Sequence, residues 1–414
     1  MTDIQKENKS GGKVPNLRFP GFFYKWEITE LTGLGEFLGG GTPSSSNDDF
    51  WKGNVPWISS SDLSENNIHS VNVSRFITEE AINNSATKLC SAPVILIVSR
   101  VGVGKVAYSG KSLCTSQDFL NIINFKCNGI FLSYLLSTEM KKAASAVQGT
   151  SIKGISSVEI KSKKLYIPKI SEQNKIASFL SLIDERITTQ SKILLHLKSL
   201  IESLNDSLSE QKIRINSNFE NWKKVRLGDL GYTFNGLSGK TKEDFGNGKR
   251  YIQYKQIFDS SKIVIENCGY VNVSENENQN SVKYGDIFFT ISSETPDEIG
   301  MSSVLLEDVK NVYLNSFCFG FRLNSFKELL PEFARFLFRS KVVRNEIKKL
   351  AQGSTRYNMS KTELLKLEIL LPSIKEQKEI STFLGSLYQK IQTEKTILEQ
   401  LEIQKKYLLQ QMFV

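Results

Sequence analysis

Histidine, paired cysteines and long apolar runs are what this 414-residue sequence has least of. With only two histidines, His69 and His196, imidazole-centred acid–base or metal chemistry has almost nothing to work with. The five cysteines (Cys90, Cys114, Cys127, Cys268 and Cys318) are scattered and form no CxxC pair. That argues against a zinc site or a disulfide framework and for free or buried thiols in a reducing cytoplasm. No apolar run reaches the roughly 18–20 residues that span a bilayer, so no membrane association is expected. The polar start MTDIQKENKSGGKVPN lacks a signal-peptide core, and residues 1–14 read as a short disordered tail.

Nucleotide and catalytic motifs are missing too. GKT at 239–241 suggests a P-loop, but Phe234 stands where the motif needs its first glycine. GLGEFLGGG at 33–41 has no strand-to-helix context and no acidic partner, so its glycines read as turn residues. Neither an NPPF/DPPY-type amino-methyltransferase motif nor a nuclease carboxylate–lysine cluster stands out. The expectation is a chain with no catalytic residue, metal or cofactor of its own.

Positive charge, by contrast, is in excess. There are 53 Lys and Arg against 44 Asp and Glu, a net charge of +9. Such an excess favours a polyanionic partner through counterion release at phosphates. A 414-residue chain also exceeds one ordinary domain.

An internal repeat organises the rest. Gln148-Gly149 recurs as Gln352-Gly353, an offset of 204, and the register then holds without a gap. Pro168, Ile170 and Glu172-Gln173 return as Pro372, Ile374 and Glu376-Gln377. Earlier, WEITELTGLGEF at 26–37 resembles WKKVRLGDLGYT at 222–233, offset by 196, pairing Trp26 with Trp222. Between these anchors the halves diverge, as in a duplicated scaffold carrying two specificities.

Each repeated proline is followed by a helical stretch with apolar or tolerated residues spaced alternately by four and three, the coiled-coil period. The first seam runs through Ile176, Leu180, Ile183, Ile187, Gln190, Leu194, Leu197, Ile201, Leu204 and Leu208. The second runs through Ile380, Leu384, Leu387, Ile391, Glu394, Leu398, Leu401, Lys405, Leu408 and Met412. Two such stripes most simply pack on each other, antiparallel. The alternative is that each lies on its own globular domain. Lys405 falls at the place of Ile201, so the end of the second helix is expected to fray or to meet another surface.

The middles alternate short β-like runs with polar loops. APVILIVSRVG, KLYIP, YGDIFFTISS, CFGFRL and LEILLP read as strands. IFLSYLLSTEMKKAASAV and LLPEFARFLFRSKVVRNEIKKLA each read as one helix. The fold class expected is α/β (α+β): two similar mixed-sheet domains and two long antiparallel helices with pseudo-two-fold repetition.

Loops in both halves offer hydroxyls, cations and amides suited to phosphates and base edges. In the first half the candidates are Thr42, Ser44, Ser59, Ser60, Ser61, Arg100, Lys105, Thr150, Ser151 and Lys153. In the second they are Ser238, Lys240, Thr241, Tyr254, Lys255, Gln256, Ser292, Ser293, Ser354, Thr355, Arg356 and Tyr357. Any one such loop alone is an ordinary solvated turn; recurrence of the QG loop in a basic chain favours nucleic acid.

The whole layout resembles the specificity (S) subunit of type I restriction–modification systems. The resemblance rests on two divergent domains, each followed by PKISEQNKIASFLSLIDERI or PSIKEQKEISTFLGSLYQKI, and on GGTPS with GNVPWISSSDL at 40–63. The second half lacks a GGTPS-like start. The resemblance implies target recognition domains at 15–169 and 213–373, each reading half of a bipartite, asymmetric double-stranded DNA target. It implies spacer helices at 170–212 and 374–414 that set the unread gap and dock two methyltransferase (M) subunits. Those would bring S-adenosylmethionine for adenine methylation, and two restriction (R) subunits would add ATP- and Mg-dependent cleavage, all in the cytoplasm. Two other classes stay open on the residues alone. One is a self-sufficient or fused methyltransferase or nuclease system of type II-like design; the other is a coiled-coil adaptor that binds protein.

Overall fold

A computed structural model describes residues 12–147, 154–216, 220–353 and 356–414. The expected tail over 1–14 therefore lies, through residue 11, outside the described residues. The chain divides into two compact units, Met1–Lys192 with Thr396–Val414, and Ile193–Lys395.

In the first unit the strands begin β1 (Glu27–Glu30), β2 (Glu36–Gly39), β3 (Val55–Ile58), β4 (Arg75–Ile77) and β5 (Leu89–Cys90). They continue β6 (Val94–Val98), β7 (Val106–Ser109), β8 (Leu113–Thr115), β9 (Phe119–Ile123) and β10 (Lys164–Ile167). Helices α1 (Glu79–Asn83), α2 (Gly129–Val147), α3 (Ser157–Lys161) and α4 (Ile170–Ser209) accompany them, the last running on into the second unit. The central antiparallel sheet has the order β2-β9-β6-β7. Its middle strand β6 reads VILIV, every residue buried, as a run of β-branched and aliphatic side chains between two neighbours should be. A second sheet, β4-β3-β8-β5, contains the parallel pair β3–β8. Strand β10 returns to pair with β1, closing the domain on its own start.

The second unit holds β11 (Lys223–Arg226), β12 (Gly231–Asn235), β13 (Phe245–Ile252), β14 (Gly269–Val271), β15 (Ile287–Thr290) and β16 (Ser292–Ser293). After them come β17 (Ser302–Val304), β18 (Tyr313–Leu314), β19 (Cys318–Leu323), β20 (Ala351–Gln352), β21 (Tyr357–Met359) and β22 (Glu368–Leu371). Its main sheet is β12-β19-β15-β17, β13 and β18 are parallel, and β22 pairs with β11. The middles that diverge in sequence thus repeat one sheet order. Helices are α5 (Leu227–Leu230), α6 (Tyr254–Asp259), α7 (Pro331–Leu337), α8 (Lys341–Lys348), α9 (Lys361–Lys366) and α10 (Ile374–Met412).

The single helix expected over 329–351 is two, α7 and α8, broken at Phe338–Ser340. Ser340 takes an extended conformation as the cap of α8, and its hydroxyl donates to the Leu337 carbonyl. The break turns Arg339 onto four carbonyls, those of Ser302, Ile257, Phe258 and Ser260. Hydrophobic spacing could not reveal this, because Val343 and Ile347 keep the core-facing pattern across the break.

The repeated Glu-Gln pair now has a cause. Glu172 accepts Arg18 through Nε and Nη2, both at 2.7 Å, and the Trp26 indole at 3.3 Å. Gln173 accepts the Asn128 amide at 2.8 Å and donates to the Pro168 carbonyl. In the second unit Glu376 accepts Arg214 at 3.1 and 2.7 Å, and Gln377 accepts the Leu330 amide and donates to the Pro372 carbonyl. All four side chains are buried, so each must keep its partners or leave a desolvated polar group. The pair is therefore the keystone where each helix leaves its domain.

All ten positions of each predicted seam are buried or half-buried. In the first unit the α4 and α10 stretches run antiparallel: Ile176 and Leu180 share a core with Leu408 and Met412, and Asp184 meets Lys405. In the second unit Leu204 and Leu208 cluster with Ile380 and Leu384. The end of α10 meets a surface: Phe413 packs on Trp26 and Phe131 at 6.3 and 5.5 Å. The helices also pack on their own domains, so the two alternatives for the stripes are both realised in part.

Candidate nucleic-acid interface

In the second unit five predicted residues come together. Tyr254, Lys255, Ser292, Ser293 and Arg356 line one open cleft of about 530 Å³. Helix α6 supplies Tyr254 and Lys255; the Tyr254 hydroxyl donates to the Ser292 carbonyl at 2.9 Å. Strands β16 and β21 pair Ser293 with Tyr357, and the Arg356 guanidinium sits 3.3 Å from the Ser292 hydroxyl. Residues not foreseen complete the walls: Phe258, Asp259, Glu294, Glu298 and Phe317. Phe317 is exposed, but in the sequence it alternates with the buried Phe319 and Phe321, so nothing in the pattern set it apart from a strand residue.

The wall at 294–300 is held from behind. Arg344 donates to the carbonyls of Gly300, Ile299 and Asp297 at 2.7, 2.6 and 3.0 Å. Burial pushes its guanidinium down to about 10, still charged at neutral pH. The cleft itself mixes two cations with Asp259, Glu294 and Glu298. Such a mixture offers donors to guanine edges and phosphates and acceptors to the amino groups of cytosine and adenine.

Other second-half candidates are occupied with their own loops. Lys240 is almost buried and pairs with Glu277 at 2.6 Å, whose carboxyl that lysine holds down at about 2. Thr241 caps the turn at 242–244 through Asp244, and the Ser238 amide donates to Gln279. Gln256 exchanges hydrogen bonds with the Val264 backbone.

In the first unit the amide of Ile155 bonds to the Ser99 carbonyl at 2.8 Å, as Met359 does to Ile291 at 2.9 Å in the second. That correspondence puts Arg100, which is exposed, at the place of Ser292. Lys105 donates to the carbonyls of Ser60 and Leu63, both at 3.1 Å, and so braces the loop that carries Ser59–Ser61. Ser59 bonds Asp62 and Arg75, while Ser61 is exposed. Thr42 bonds Gln117 and Ser44 bonds Ser46, both at the surface. The nearby glycines serve packing. A Cβ on Gly40 would lie 2.0 Å from the Ser116 carbonyl, and the Gly41 carbonyl accepts from Trp57 and Thr87. Thr150, Ser151, Lys153, Ser354 and Thr355 lie outside the described residues. Among the described residues no His, Cys, Asp and Glu cluster is arranged to hold a metal, and no helix is long and apolar enough to cross a membrane.

Two copies of one α/β frame, alike at their closing strands and helices and unlike in their loops, define a duplicated recognition scaffold. The type I restriction modification DNA specificity domain matches residues 24–199 and again 219–403, so the chain belongs to that family and carries its domain twice. The chain is 27% identical over 286 residues to the MjaIX specificity subunit of Methanocaldococcus jannaschii, covering 63% of this chain and 62% of that one. It is 34% identical over 168 residues to the EcoR124I/EcoR124II specificity subunit of Escherichia coli, covering 38% and 41%. The chain thus spans less than two thirds of the length of these two relatives. In fold it is similar to the S subunit of a type I system from M. genitalium, with TM-score 0.57, 16% identity and coverage of 97% and 99%.

Proposed function

We propose that this chain is the DNA-reading subunit of a type I restriction–modification complex and makes no bond itself. Each of its recognition domains, at 15–169 and 213–373, reads one half of a bipartite, asymmetric double-stranded target. The observation that carries this reading is the family domain matched twice, on frames of equal sheet order with unlike loops. In the second domain the cleft of Tyr254, Lys255, Ser292, Ser293 and Arg356 meets the bases; in the first, Arg100 and Ser61 stand at the corresponding edge.

The spacer helices at 170–212 and 374–414 fix the unread gap and dock two methyltransferase subunits, one per half-site. Those subunits bring S-adenosylmethionine and methylate adenine. Two restriction subunits bring ATP and Mg for cleavage in the cytoplasm. Support for two equivalent docks comes from the repeated Arg–Glu–Gln keystones at both helix starts. The net charge of +9 supports the polyanionic partner.

Binding measured on the complex with its methyltransferase subunit tests the reading. Arg356→Ala should relax discrimination at one position of one half-site, with a loss of ~1–3 kcal/mol for the preferred base. A change confined to the salt slope, by about one, would instead make Arg356 a phosphate contact. Unchanged affinity, base preference and salt slope for both Arg356→Ala and Arg100→Ala would remove the second-unit cleft and the Arg100 edge from the interface.

A further inference from the structure

The two units share one turn and differ in what it carries. The Gly41 amide donates to the Thr115 carbonyl at 2.8 Å in the first unit, and the Leu237 amide to the Leu314 carbonyl at 2.7 Å in the second. The Phe119 amide donates to the Ser116 carbonyl at 3.2 Å, and the Cys318 amide to that of Asn315 at 3.1 Å. A glycine lies against each turn: a Cβ on Gly40 would stand 2.0 Å from the Ser116 carbonyl oxygen, and one on Gly236 2.1 Å from that of Asn315. The residue presented between these fixed points is Asp118 in the first unit and Phe317 in the second. Its carbonyl accepts from the Ser99 amide at 2.8 Å or the Ile291 amide at 3.0 Å. Its own amide donates to a side chain two residues back, the Ser116 hydroxyl at 3.4 Å or Asn315 Oδ1 at 2.8 Å. The backbone pattern is common to both, yet an acid stands in one unit where the other has a ring.

Phe317 is 59% exposed, although Phe319 and Phe321 in the strand it leads into are fully buried. It forms part of the wall of the 530 Å³ cleft, with Lys255, Ser292 and Arg356. Hydrogen bonds at its amide and carbonyl fix its backbone before any ligand arrives, so a contact with the ring costs little ordering. The polar groups of the cleft suit the N7, O6, O4 and amino groups of base edges. They gain nothing from the 5-methyl of thymine, the apolar group that the major groove presents and that phenylalanine is suited to meet.

We propose that Phe317 is a specificity-determining residue of the second recognition domain, reading a thymine through apolar contact with its 5-methyl group in the major groove. The proposal rests on the reading of this cleft as a base-contacting surface. Asp118 holds the same place in the first domain, where a carboxylate favours an amino group over a methyl. The two half-sites therefore differ at the base that this turn meets, and the asymmetry of the target has one of its sources there.

The probe is the duplex target, bound by the complex with its methyltransferase subunit, with each thymine of the second domain's half-site replaced in turn by deoxyuridine on either strand. Deoxyuridine keeps the pairing and the O4 acceptor and lacks only the methyl. One replacement should weaken binding about fourfold, the worth of one methyl group taken out of water. Phe317→Ala should bind the thymine and deoxyuridine duplexes equally at that position, and should leave the melting temperature unchanged because the ring is exposed. A half-site in which no thymine responds, or a response that Phe317→Ala retains, overturns the proposal. Equal weakening of all duplexes by Phe317→Ala, with no methyl effect in the unaltered chain, would make the ring a wedge between base steps and overturn it as well. If Arg356→Ala still relaxes base preference when the thymine arm fails, Phe317 alone is withdrawn; if Arg356→Ala also changes nothing, the cleft itself is.

Discussion

Lys405→Ala should destabilise the first unit more than any surface change of similar size. The ammonium and the Asp184 carboxylate are 8% and 2% exposed and form an ion pair. Asp184 also accepts the Tyr134 hydroxyl at 2.7 Å, and Lys405 also donates to the Asn66 carbonyl. Burial and the adjacent carboxylate push the Tyr134 phenol well above its ordinary range, so it stays a neutral donor. Removing the lysine leaves a buried carboxylate whose remaining side-chain hydrogen bond, among the described residues, is from that phenol. Breaking a buried pair from one side costs about 3–5 kcal/mol. For a unit of roughly 200 residues each kcal/mol moves the melting temperature by about 2–4 °C, so a fall of roughly 6–20 °C is expected. Replacing both residues with leucine should recover part of the loss, because it removes the unpaired charge, while the buried Tyr134 hydroxyl loses its 2.7 Å acceptor. Calorimetry on Lys405→Leu, Asp184→Leu and the double variant gives the coupling directly. A single-variant loss under about 1 kcal/mol would refute the reasoning.

Two further outcomes follow from named groups. Burial and the nearby Lys405 lower the tendency of His69 to protonate. Below pH about 6.5 the unfolded chain therefore binds more protons than the folded one, and the first unit loses stability as pH falls through that value. His69→Gln should flatten this acid-side slope in urea midpoints between pH 5 and 7.5; an equal slope in both proteins would count against it. Duplicating SLSE at 207–210 should lengthen the unread gap of the target or abolish recognition, as methylation mapping would show. An unchanged target would dismiss the helices as a ruler.

Much of the frame was legible because it is local or repeated. Seam residues such as Leu180 and Leu384 declare a period of 3.5, and KLYIP and LEILLP declare strands by composition. Lys405 looked like a defect in that seam, since its partner Asp184 lies off the apolar stripe and 221 residues away. Glu172 and Glu376 were visible as repetition, and their arginines, Arg18 and Arg214, share the offset of 196 that pairs Trp26 with Trp222, but only the fold shows that they reach the two glutamates. Lys105 and Lys240 carried the right chemistry for phosphate. Only the fold shows them tied to carbonyls and to Glu277, contacts that no loop sequence encodes by itself. Conversely, Tyr254, Ser292 and Arg356 belong together only because β16 and β21 pair across a long connection.

The most direct test of the central claim is methylome sequencing of cells that express this chain with its methyltransferase subunit. One asymmetric motif made of two short half-sites is expected, each with a methylated adenine on one strand, separated by a gap of fixed length and free sequence. Exchanging residues 213–373 for the corresponding domain of another specificity subunit should change one half-site and leave the other intact. A single uninterrupted motif, or a change in both half-sites on that exchange, would contradict it.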